Sequence, residues 1–258
     1  SVPAGGARLR CRAMTPEELV AAACPRINNM GWAFYFVPGT VARGAELGLD
    51  GVTFYVLGRG GVLGDVDAPV IASAFGYFNP ALVESAWNAG RAIVAPRTAG
   101  RAFMECSAAL GREKFGAVNG LDAFCAAAGA VHAAADPVGL PLYAGVSTEP
   151  LVEDAPGRAM QLVTVLREFR GSAHMLALRA SGLAARTAHA IKRPDDGAMF
   201  GWAAEDAPVV TAEDRATWTV AEHLTDRIVL PAFAVLDEAG GRALLGGLDG
   251  IEKALAAT

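Results

Sequence analysis

Residues 166–183 read Leu-Arg-Glu-Phe-Arg-Gly-Ser-Ala-His-Met-Leu-Ala-Leu-Arg-Ala-Ser-Gly-Leu, and the conformation of this stretch decides how the rest of the chain is read. On a helix turning by about 100° per residue, Arg167, Arg170 and His174 fall within about 60° of one another. Leu162, Leu166, Phe169 and Leu176 fill the adjoining apolar arc, so a basic stripe borders a buried face. Ser181-Gly182 then breaks the helix ahead of a second, shorter one, which is the order of the first half of a helix-turn-helix unit. Around it stand Arg158, Arg167, Arg170, Arg179, Arg186, Lys192 and Arg193, against the single acid Glu168. Glu168 lies off the stripe and is expected to pair with Ser172 or with a neighbouring helix. Three readings compete: a solvated helix face, a nucleic-acid reader, and the polar end of a small-molecule pocket.

Composition narrows the choice. Of 258 residues, 53% are hydrophobic and 19% charged, which suits a chain with a large core and excludes global disorder. Only 7% are aromatic; Ala, Val and Leu dominate, which favours closely packed helices. A net charge of −5 argues against non-specific binding to nucleic acid or anionic membranes. Cys11, Cys24, Cys106 and Cys125 have no C-x-x-C spacing and read as reduced, mostly buried thiols of a cytoplasmic protein. The uncharged runs 27–42 and 68–83 each contain proline and fall short of the ~20 residues a membrane span requires. Residues 1–13 carry three arginines without a following apolar run, so they read as a leader and not as a secretory signal.

Local signals set the elements. Thr15-Pro16-Glu17-Glu18 is a helix start, with a run expected to stop near Cys24 because Pro25 follows. Val41–Leu47 is a helix closed by Gly48. Val52–Leu57 has the β-branched and aromatic composition of a strand, but its Ala-rich surroundings favour a buried helix. Gly58–Gly64 is expected to be a turn, and neither its spacing nor the residues after it fit a dinucleotide or Walker phosphate loop. Asn79-Pro80 opens another helix, with further ones over Thr98–Leu110, Leu121–Ala135, Arg158–Arg179, Glu213–Ala239 and Leu244–Ala257. The Pro/Gly-rich break Ser147–Gly157 marks a domain boundary, giving a leader over 1–13, an N-terminal helical domain over 14–150 and a C-terminal helical domain over 151–258. The fold class is all-α.

Several side chains stand out chemically. Arg59, flanked by glycines in an apolar segment, must reach solvent or pair with an anion. Phe75-Gly76-Tyr77-Phe78-Asn79-Pro80 can line a pocket, with Tyr77 and Asn79 orienting what it holds; the plainer alternative makes Asn79 a helix cap. The histidines His132, His174, His189 and His223 show no metal-ligand spacing, so no metal and no cofactor are expected. No G-x-S-x-G elbow is present.

Leu47-Gly48-Leu49, Tyr55, Gly58-Arg59, Ala72–Pro80 with Val83 and Trp87, and Ala135-Asp136-Pro137 with Gly139 and Pro141 form a diffuse pattern. Leu166-Arg167-Glu168 with Arg170-Gly171 and His174, then Gly182-Leu183, Gly201-Trp202 and Thr225-Asp226, complete it. Together they resemble an uncharacterised, mainly actinobacterial helix-turn-helix-like family related to MarR-like winged-helix regulators. The resemblance implies a largely helical fold of two connected parts. After Trp202, however, nine residues containing Glu205, Asp206 and Pro208 replace the expected recognition helix and wing, and their acids are the wrong charge for phosphate. The recognition-helix and wing region thus reads as degenerate.

The leading expectation is therefore a cytoplasmic, small-molecule-binding protein, or a cofactor-independent enzyme of specialised metabolism acting on an anionic, partly apolar substrate. His174 is the general acid–base candidate, since histidine titrates near neutrality, and Asp226 is expected to orient it or another donor. Arg59, Arg167 and Arg170 would hold the anion, with Tyr55, Phe75, Tyr77 and Asn79 forming the rest of the wall. The alternative is a DNA-binding regulator of the winged-helix type using Arg179–Arg193. A homodimer through the long C-terminal helix is a further expectation.

Overall fold

The computed structural model describes residues 14–257; the leader over 1–13, and Cys11 within it, lie outside the described residues. Among the described residues the chain forms twelve α-helices and no strand. They are α1 (Pro16–Met30), α2 (Pro38–Glu46), α3 (Gly51–Gly60), α4 (Ala68–Phe75), α5 (Pro80–Arg91), α6 (Pro96–Lys114), α7 (Leu121–Ala134), α8 (Pro141–Val146), α9 (Ala155–Ala180), α10 (Ala185–Lys192), α11 (Ala212–Phe233) and α12 (Glu238–Ala256). The all-α expectation holds. No helix among the described residues is long and apolar enough to cross a membrane.

Helix starts follow the local chemistry. Thr15 and Glu18 close a reciprocal capping box on α1, Asn79 accepts from the Ala81 amide at the head of α5, and Asp154 accepts from the Gly157 amide at the head of α9. Three expectations need correction. Helix α1 does not stop at Pro25 but continues to Met30. Its buried face, with Val20, Ala23 and Cys24 before the proline and Ile27 and Met30 after it, outweighs the missing amide bond, a loss of about 3 kcal/mol. The segment 213–239 is not one helix: it breaks between Phe233 and Glu238, where Asp237 caps α12 through the Gly240 amide.

The glycine segment is mostly helical and not a turn throughout. Helix α3 runs through Gly58 to Gly60, a 3₁₀ turn covers Gly61–Leu63, and only Gly64 is left-handed, at φ +83°. The glycines serve close packing. A Cβ on Gly58 would sit 2.7 Å from Phe103 Cβ, and one on Gly61 only 2.0 Å from the Pro96 carbonyl oxygen. Their absence lets α3 and its 3₁₀ extension lie directly against α6.

Helix α9 is the axis of the molecule, packed by α1, α6, α7, α8, α10 and α11. Its expected basic stripe is not a solvated edge: Arg170 is 6% exposed and His174 3%, with Arg167 partly buried. The main core runs from Leu19 to Ile251 and draws residues from both sides of position 150. A second, smaller core joins Leu178, Leu183, Ala188 and Ala221, with Tyr77, Met175, Ile191 and Trp218 packed on it.

A polar cavity beside the helix-turn-helix segment

A cavity of about 400 Å³ lies between the N-terminal helices and α9. Seven side chains singled out from the sequence line it: Tyr55, Arg59, Phe75, Tyr77, Arg167, Arg170 and His174. Asn79 does not. It caps α5 and donates to the Gly201 carbonyl oxygen at 2.9 Å, so the capping alternative is the one realised. Asp226 is absent from the wall as well.

Glu168 organises the first half of the site. Arg59 grips its carboxylate with two parallel bonds, Nε to Oε1 at 2.9 Å and Nη2 to Oε2 at 2.8 Å. Arg167 Nη1 donates to Oε1 at 2.9 Å, and Tyr35 Oη donates to the same oxygen at 3.1 Å. Burial alone would raise the Glu168 pKa, but the Arg59 and Arg167 charges and the Arg59 and Tyr35 hydrogen bonds prevail and hold it at about 2. The third edge of the Arg59 guanidinium donates to Tyr55 Oη at 3.1 Å, and its plane lies 4.5 Å from the Phe75 centroid. The anion that Arg59 requires is thus supplied internally. Glu168 was missed as a site residue, although an acid alone among seven bases and an arginine in need of an anion were both visible in the sequence.

The second half is built on Arg170 and His174. Arg170 Nη2 meets Glu222 Oε2 at 2.7 Å, with Asp226 Oδ1 farther away at 3.9 Å. His174 Nδ1 lies 3.0 Å from Thr225 Oγ1 and 3.3 Å from Glu222 Oε1, while Nε2 lies 3.0 Å from Tyr77 Oη. Asp226 therefore pairs toward Arg170, and Thr225 and Glu222 orient the imidazole in its place. Burial pushes the His174 pKa down to about 4; Glu222 opposes this, and Arg170 and Lys192 reinforce it. The expectation that His174 titrates near neutrality does not hold.

The segment after α9 closes the cavity. Lys192, Arg193, Asp196, Met199 and Phe200 all contribute to the wall. Arg193 pairs with Asp196 at 3.5 Å, whereas Lys192 has no carboxylate at ion-pairing distance among the described residues. Part of the Lys192 side chain is open to solvent; desolvation by the atoms crowded around its ammonium, then repulsion from Arg170, pull its pKa down to about 8. Along the cavity, ring contacts run from Phe36 to Tyr55 at 5.4 Å, from Tyr55 to Phe78 at 5.6 Å and from Phe78 to Phe200 at 4.3 Å. The cavity thus has an aromatic wall with cations set into it, Arg59 lying over Phe75 and bonded to Tyr55.

The turn between α9 and α10 and the two helices it joins give an all-helical protein of helix-turn-helix type, with the cavity against the middle of α9 and the end of α10. The chain belongs to the helix-turn-helix family, whose family model matches residues 20–258. No curated protein and no solved structure matches the chain. Downstream of Trp202 a single 3₁₀ turn, Ala204–Asp206, precedes α11. Arg186 of α10 is stacked 4.1 Å over the Trp202 ring, and the next two basic residues, Lys192 and Arg193, face the cavity.

Proposed function

We propose that this protein binds an anionic, partly apolar small molecule in the cavity beside α9. One observation carries the reading: the wall holds five cationic side chains, Arg59, Arg167, Arg170, Lys192 and Arg193, against two carboxylates, Glu168 and Asp196. Even with Glu222 counted behind Arg170, an excess of positive charge is left beside an aromatic surface, the composition that holds an apolar body by one charged group. Lys192 is the cation with the least internal commitment.

Isothermal titration with 2-naphthoate and, separately, with 2-naphthol tests it. The carboxylate is expected to bind and the neutral alcohol to bind at least about fivefold more weakly, with Lys192→Ala cutting carboxylate affinity by a similar factor. Equal affinity for the two probes would remove the anionic character, and binding of neither would remove the reading.

The family description favours a second reading, a DNA-binding regulator. It requires Arg179, Arg186, Lys192 and Arg193 to reach phosphates, and three of these are turned to Trp202 or the cavity. Duplex binding at low salt that weakens steeply as salt rises would establish it, and a flat response from about 20 mM salt upward would end it.

A further inference from the structure

The hydrogen bonds around His174 have a fixed direction. Thr225 Oγ1 has one proton and gives it to the Ala221 carbonyl oxygen, 2.7 Å away, so toward His174 Nδ1 it is an acceptor. Glu222 Oε1, 3.3 Å from the same nitrogen, makes no hydrogen bond there, but its negative charge favours a proton on Nδ1. The Thr225 acceptor places the ring proton on Nδ1. The imidazole is neutral, buried beside Arg170, so Nε2 carries a lone pair and takes the proton of Tyr77 Oη across 3.0 Å. A phenol has one proton, and that of Tyr77 is committed to His174. What Tyr77 has left for the cavity is a pair of acceptor lone pairs, the opposite of what a tyrosine beside arginines and a lysine offers a carboxylate.

We propose that the molecule held in this cavity carries, apart from its anionic group, a hydroxyl or N–H that donates to Tyr77 Oη, and that Tyr77 thereby selects it. This rests on the small-molecule reading above. The anionic group belongs with Lys192 and Arg193, the donor with Tyr77, and the aromatic wall holds the body between them. An analogue with an ether or carbonyl at the donor position would set two acceptors face to face, leaving both unsatisfied.

Two measurements decide it. Long-range ¹H–¹⁵N correlation of the His174 ring in the free protein is expected to show a protonated Nδ1 and an unprotonated Nε2. A protonated Nε2 would turn the Tyr77 proton toward the cavity and overturn the proposal. Titration calorimetry then compares 2-naphthoate with its 3-, 6- and 7-hydroxy derivatives and the matching methoxy derivatives. At least one hydroxy isomer is expected to bind about fivefold tighter than the parent, and its methoxy counterpart no tighter than the parent. In Tyr77→Phe the hydroxy-to-parent ratio is expected to fall to about one. Binding of every probe with no hydroxy preference, or a preference that survives Tyr77→Phe, overturns the role of Tyr77 alone. Absence of binding by every probe overturns the small-molecule reading itself. If Tyr77→Phe does not fold, the wild-type ring tautomer and the hydroxy–methoxy comparison still establish or overturn the role of Tyr77.

Discussion

Glu168 and His174 are buried on the same helix, and acid weakens the fold through both, in different pH ranges. Glu168 has a folded-state pKa below its unfolded value, so its contribution is complete above about pH 4.5 and is lost as pH falls toward 2. His174 is lowered as well, so here too the unfolded chain takes up the proton first. Stability contributed by keeping the ring neutral is complete above about pH 6.5 and declines as pH falls toward 4, an effect of about 3 kcal/mol. Urea titrations between pH 7 and pH 2 are thus expected to show two successive losses. Because burial lowers His132 and His189 too, His174→Gln should shrink the first loss without removing it and leave the second, and an unchanged pH 6.5–4 slope in that variant would contradict this. Glu168→Ala strands two buried guanidinium groups and is expected to cost about 3–5 kcal/mol at neutral pH, measured as a lowered urea midpoint. Burial also pushes the Cys24 thiol up to about 12 and that of Cys125 to about 11, so both should resist alkylation until the chain unfolds.

At the level of elements, the contact of α3 with α6 is the least forgiving. Gly61→Ala places a methyl group into the Pro96 carbonyl and is expected to destabilise by several kcal/mol, beyond the usual ~1 kcal/mol of a point change. Gly129 in the middle of α7 meets nothing within 4 Å, so Gly129→Ala should stabilise by roughly 0.5–1 kcal/mol. Thermal melts of the two variants check the contrast in sign. The caps at Thr15 and Asn79 and the long run of α9 were legible because they depend on neighbours within a turn or two. Pro25 misled because one missing amide is a local signal and the buried face that overrides it is not. The glycine segment misled for a related reason: glycine there answers to the surface of α6. Glu222, Thr225 and Asp226 share one side of α11, and only the crossing of α11 over α9 determines which of them meets His174. Spacing alone offered Asp226 as readily as the other two.

Across the whole molecule the two cores are unequal. The main one spans nearly the full chain, whereas the smaller one rests on Leu178, Leu183, Ala188 and Ala221. The segment 185–211 is attached chiefly through the smaller, so it is expected to open without the rest. Hydrogen exchange should show amides of α10 exchanging through a low-energy opening while those of central α9 exchange only on global unfolding; equal protection of the two would contradict this. Phe200 sits where the cores meet, 4.3 Å from Phe78 on one side and 4.1 Å from His189 on the other. A guest lodged against Phe200 would act as mortar between two folding units. Its presence would show first as slower exchange confined to residues 185–211, so that the stiffness of one surface segment would report whether the interior is occupied.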